Sequence, residues 1–145
     1  MKAAVWKALS ALLIAAFVAL FAIGLTGGCT GMIETAAGGQ VPMKCHWAFL
    51  ATSYVAAIGA IAGLLALFTS QLMARRVACI MAMAAAVVAG LLPSPLGIGV
   101  CASAEMSCNA SALAVFIASA VGFAIALVLC IKADPQAADK PKRSL

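Results

Sequence analysis

Four apolar stretches with almost no charge fill most of this chain: about Ala8 to Gly27, Trp47 to Ser70, Val77 to Ile98 and Ala110 to Ile131. Each reaches the roughly 20 residues that a helix needs to cross a hydrocarbon core. In lipid every backbone N–H and C=O must be satisfied within the chain, which restricts such stretches to helices. The composition agrees, since only 9% of residues are charged where soluble domains carry about 25%. The predicted fold class is all-α: an integral membrane four-helix bundle of two helical hairpins, in one domain spanning 1–145. Outer loops are expected at 28–46 and 99–109. The polar, proline-containing tail 133–145 is expected to be disordered on the cytoplasmic side.

Orientation follows from the basic residues, because Lys and Arg in short loops stay on the cytoplasmic side. Lys2, Lys7, Arg75, Arg76, Lys132, Lys140, Lys142 and Arg143 fall at the amino end, in the middle loop and in the tail, whereas only Lys44 falls in the other two loops. Both termini are therefore expected inside, in the inner membrane of a prokaryotic cell. The formal net charge of +5 reads as a topology signal toward lipid head groups and not as a nucleic-acid surface. Trp6 and Trp47 are expected as interfacial anchors at opposite faces. The first stretch has a second reading as a cleaved signal, since Leu25-Thr26-Gly27-Gly28-Cys29 is similar to a lipoprotein cleavage box with its Leu one place too far from the Cys. Lipidation of Cys29 stays open.

The helices carry few functional groups. No ionisable residue stands in the middle of any of them, whereas ion pathways and proton relays need such groups there. No nucleotide-binding or hydrolase motif is present either. A transporter or pump acting alone is not the reading, and a non-enzymatic protein is favoured. Small residues recur at four-residue spacing, with Gly59 and Gly63 in the second stretch, Gly90 closing such a run in the third and Gly122 in the fourth. Close backbone approach at these glycines supplies the packing that lipid cannot drive. The same faces of the second and fourth helices are where contact with another membrane protein, or self-association, is expected.

Chemistry concentrates in the two outer loops. Each has a cysteine near its start and Met-x-Cys near its end: Cys29 with Met43-Lys44-Cys45, and Cys101 with Met106-Ser107-Cys108. Three readings follow. In the structural one the candidates Cys29, Cys45, Cys101 and Cys108 form two disulfides, Cys29 with Cys45 and Cys101 with Cys108, although four cysteines allow three pairings. Under a redox reading Lys44 and His46 lower the Cys45 pKa, and a quinone is the implied cofactor; two outer cysteine pairs on a four-helix bundle resemble the plan of quinone-linked disulfide-generating enzymes, but no C-x-x-C is present. A metal reading gathers Met43, Cys45, His46, Met106 and Cys108 as thioether, thiolate and imidazole ligands, which suit Cu(I). Without one of these alternatives no cofactor is implied. Cys79 and Cys130, near the inner helix ends, are expected to be reduced packing residues.

The run Val41-Pro42-Met43-Lys44-Cys45-His46-Trp47, preceded by Cys29-Thr30-Gly31-Met32, resembles a group of small prokaryotic membrane proteins known as domain of unknown function family 4418. Leu91-Leu92-Pro93, Gly97-Ile98-Gly99-Val100-Cys101 and Met106-Ser107-Cys108 are similar to that family's other recurring stretch. The resemblance implies no activity. It implies an accessory membrane subunit, because genes of the family often lie beside those of ABC transporters. The chain departs from the pattern at Ala48 and Phe49, where a more polar helix start is expected, and at Asn109, where a basic residue is.

Overall fold

A computed structural model describes residues 3–101 and 107–133. The candidate ligand Met106 and the tail from Asp134, expected to be disordered, lie outside the described residues. Four helices account for most of the described residues: α1 Ala3–Thr26, α2 Lys44–Phe68, α3 Leu72–Leu91 and α4 Ser107–Lys132. All four are long and apolar enough to cross a membrane. Each packs on its neighbour in sequence, and α4 closes the ring against α1. The result is an up-and-down four-helix bundle.

The buried stripes explain the packing. In α1 the buried positions are Trp6, Ser10, Leu13, Phe17, Leu20 and Gly24; in α4 they are Cys108, Ala112, Val115, Ser119, Gly122, Ala126 and Leu129. The steps alternate between four and three residues, the 3.5-residue period of a left-handed bundle seam. In α2 the same period runs Cys45, Phe49, Thr52, Ala56, Gly59, Gly63, Ala66. Interior positions are filled largely by Ala, Gly and Ser, while Ile58, Ile61, Leu65, Val77, Ile80, Met81, Leu113 and Ile117 point outward. That inversion of a soluble core suits a bundle solvated by lipid and held by close backbone contact.

The glycines show how close that contact is. A Cβ at Gly24 would fall 2.8 Å from both the Phe49 carbonyl oxygen and the Ser53 nitrogen, so α1 and α2 touch backbone to backbone there. Gly59 receives the Phe17 ring, Gly63 faces Ile14 and Gly90 faces Ser119. These contacts are internal, so the α2 glycine face expected to meet a partner is occupied by α1. A Cβ at Gly122 would meet nothing within 4 Å.

Helix boundaries depart from the hydropathy reading in one consistent way. α2, α3 and α4 begin three to five residues earlier than 47, 77 and 110, because polar first-turn residues such as Lys44, Arg75 and Ser107 tolerate the helix end. α3 stops at Leu91, just before Leu92-Pro93-Ser94-Pro95, where an end or bend is expected because Pro93 and Pro95 remove two donors. From there Ser94 caps a compact turn: its hydroxyl donates to the Leu91 oxygen at 2.6 Å and accepts from the Leu96 N–H at 3.2 Å. Ile98 and Gly99 N–H groups return to the Leu92 carbonyl. Gly99 has φ +78°, where a side chain would be strained.

At the end of the bundle where α1 meets α2's finish, Trp6 is buried and does not serve as a surface anchor. Its Nε1 donates to the Ala66 oxygen at 3.1 Å, and the Arg75 guanidinium lies 4.8 Å over its ring. Arg75 Nε donates in turn to the Thr69 oxygen at 2.7 Å, covering a carbonyl just past the end of α2. Trp47, half exposed, does face outward. So does Tyr54, which has no place in the bundle interior.

Candidate functional site: a four-thiol centre

Two return structures bring the four loop cysteines to one end of the bundle. The first is a β-hairpin that the hydropathy reading missed, with β1 Met32–Glu34 antiparallel to β2 Gln40–Pro42 in the register Met32 with Pro42 and Glu34 with Gln40. Thr35 closes its tip by accepting the Gly39 N–H and donating to the Gly39 oxygen, and Gly38 takes φ +78°. At the base, the Met43 N–H donates to the Gly31 oxygen at 3.2 Å. Cys29 lies two residues before that bond and Cys45 two residues after it. The second is the turn after α3, which delivers Cys101 to the same place.

Cys45 and Cys108 arrive there by helical register. Each is the second residue of its helix and the first position of the buried stripe. Both side chains are fully buried, whereas Cys29 and Cys101 are half-buried at the rim. All four sulfur atoms lie within 4.8 Å of one another, and the Cys101 thiol meets the Cys45 sulfur at 3.6 Å. The first turns of two helices also converge there, where unpaired N–H groups and the positive dipole ends favour a thiolate.

Crowding sets the protonation of the rim thiols. Cys29 is held well above the ordinary thiol range, first by its hydrogen bond to the Cys45 sulfur, then by burial and by Cys108. Cys101 is raised for the same reasons in the same order. In the absence of a cation these two thiols stay protonated at neutral pH.

No two cysteine sulfurs stand at bonding distance, the expected pairs Cys29–Cys45 and Cys101–Cys108 included, and the 3.6 Å contact between Cys101 and Cys45 crosses between the two loops. A disulfide requires about 2.05 Å. Of the expected metal cluster, the structure unites Cys45 and Cys108 and adds Cys29 and Cys101 to them. His46, one position off the buried stripe, is exposed, packs edge-on against Trp47 with ring centres 5.7 Å apart and does not join the four-sulfur group. Met43 lies beside the group, at the wall of a cleft. Met106 lies outside the described residues. Cys79 is fully buried in α3 and Cys130 half-buried in α4, remote from the four.

Two clefts reach the rim thiols, one lined by Cys29 and the other by Cys101. One, of about 510 Å³, is lined by Gly28, Cys29, Thr30, Gly31, Met43 and Ser107. The other, of about 380 Å³, is lined by Lys44, Pro93, Pro95, Ile98, Gly99, Val100 and Cys101.

The family model described as Domain of unknown function (DUF4418) matches residues 9–133, so the chain belongs to that family. No curated protein and no solved structure matches it.

Proposed function

From membership in that family and from the four converging thiols, we propose that this membrane protein binds one soft d10 metal ion, of the Zn(II) or Cu(I) class, through Cys29, Cys45, Cys101 and Cys108. The observation that carries the reading is the mutual spacing of the sulfurs within 4.8 Å. Metal–sulfur bonds of about 2.3 Å in a tetrahedron separate the sulfurs by about 3.8 Å. Side-chain rotation of a few tenths of an ångström closes the observed group onto such an ion. Sulfur-only ligation excludes the oxygen-loving ions Mg(II) and Ca(II) and favours soft ones. Binding would displace the protons held on Cys29 and Cys101.

Such an ion is held between the start of α2, the start of α4, the hairpin and the turn after α3. The site stands at the end of the bundle opposite Lys7, Arg75, Arg76 and Lys132, which by the positive-inside rule is the outer face of a cell membrane. An accessory role beside a larger permease is proposed with it: a small bundle with an outer metal centre suits a subunit that holds or presents an ion for a partner. Co-purification with such a permease tests that part.

A second reading rests on the same adjacency. In an oxidising compartment the four thiols would close into two disulfides, each pair giving up two protons and two electrons to an external oxidant such as a quinone. Metal analysis of the full-length protein, purified anaerobically in detergent without added reductant, separates the two. About one equivalent of metal per chain, lost in Cys45→Ser, supports the centre. Metal-free protein whose four thiols react with maleimide only after reduction supports the disulfides.

A further inference from the structure

The four-thiol group can be reached by two routes, and they differ in chemistry. The cleft on the Cys101 side has Lys44 in its lining, and the positive charge of that residue disfavours an arriving metal cation. The cleft on the Cys29 side carries no charged side chain and instead presents two sulfurs, the half-buried Cys29 and the Met43 thioether, with the Thr30 and Ser107 residues beside them. Its mouth is open to the surface while Cys45 and Cys108 behind it are fully buried. An ion entering here meets Met43 and Cys29 before the rest of the centre.

Met43 is held in that position by the local backbone. Its N–H is tied to the Gly31 oxygen at the hairpin base, and its side chain lies over Gly31, where a Cβ would fall 2.9 Å from the methyl carbon and 3.2 Å from the sulfur. Gly31 thus leaves the space that the thioether fills. A thioether is a neutral, soft ligand: it binds Cu(I) well and Zn(II) poorly, whereas thiolates take both. A leucine of similar volume would complete the same apolar contact without supplying a sulfur, so packing alone does not require methionine.

Resting on the metal reading above, we propose that the Cys29 cleft is the port of the centre and that the Met43 thioether is the first ligand there, selecting monovalent soft ions of the Cu(I) class for transfer to the four cysteines. The ion is then cargo that enters and leaves by one face, with the Lys44 side disfavoured by its charge. The four cysteines set how tightly the ion is held. Met43 sets which ion arrives and how fast.

The test uses full-length protein in detergent, reduced and anaerobic, with Cu(I) supplied as its acetonitrile complex and Zn(II) supplied separately from a chromophoric chelator. Loading of each ion is followed in time, and the final stoichiometry is measured. Met43→Leu is expected to slow Cu(I) loading by roughly ten-fold or more, the scale on which a group beside a metal site counts, while Zn(II) loading and both final stoichiometries stay as in the wild type. Gly31→Ala, which keeps the thioether but pushes it from its place, is expected to slow Cu(I) loading selectively to a lesser extent. It also guards against a folding defect in Met43→Leu. Unchanged Cu(I) loading in Met43→Leu, or equal slowing of both ions, overturns the port and leaves the metal centre standing. Wild-type protein that takes up neither ion overturns the metal centre, and the port with it.

Discussion

The two ends of this bundle each hold cysteines and a tryptophan, yet they are built for different purposes. At the Trp6 end the fastening is conventional: a buried indole N–H on the Ala66 carbonyl, a guanidinium over the ring, and Cys79 and Cys130 packed as small apolar side chains. At the other end a hairpin and a proline turn bend back to place two half-buried thiols over two fully buried ones. A bundle needs no such convergence to close, because the Trp6 end closes without it. Four sulfurs within 4.8 Å of one another are the observation on which the proposed soft-cation centre rests.

Substitutions at the two ends should therefore separate cleanly. The largest effect is expected from Cys45→Ser and Cys108→Ser, which remove buried ligands and should abolish metal retention, whereas Cys79→Ser and Cys130→Ser should leave stoichiometry unchanged; metal analysis of the four variants checks this. Loss of metal in the second pair would erase the contrast. Between the ends, Gly59→Leu drives a side chain into the Phe17 ring and should cost about 3 kcal/mol or more, by analogy with severe overpacking, seen as a collapse of the thermal transition in detergent. At the Trp6 end, Trp6→Phe removes the bond to Ala66 and should cost about 1 kcal/mol with metal content untouched. A fall in metal content there would show that the ends are coupled.

The smallest expected effect is one of pH on the metal-free protein. The Cys29 and Cys101 thiols are raised above the ordinary value of 9.0 in the folded chain. A raised group contributes its stability fully below the unfolded value and loses it as pH rises toward the folded one. The melting temperature of metal-free protein should therefore hold steady from pH 7 to 8 and decline above about 9, a decline absent when metal already occupies the thiolates. Parallel melts of loaded and metal-free samples across that range provide the check.

Much of the fold was legible in the sequence, because hydropathy and length alone specify four membrane-length helices, and Leu92-Pro93 marks where α3 stops. Ends were less legible, since transfer energies say little about polar residues that lie at a helix terminus. The hairpin escaped notice because its strands are three residues each, too short for alternation to register. At the site, neighbourhood in sequence recruited His46 beside Cys45, whereas the 3.5-residue stripe through Phe49, Thr52 and Ala56 extends back to Cys45 and leaves His46 outside. The same stripe in α4 extends back from Ala112 to Cys108. Reading each helix for its buried seam and then asking what heads it would have found both buried thiols. Cys29 and Cys101 depend on loop returns that only the structure supplies.

X-ray absorption spectroscopy of the full-length protein, purified anaerobically with its native metal, tests the central claim most directly. A four-thiol centre predicts a single shell of sulfur neighbours at about 2.3 Å with no nitrogen from His46, at about one metal per chain. A metal-free sample with two closed disulfides, or a first shell containing imidazole nitrogen, would contradict it.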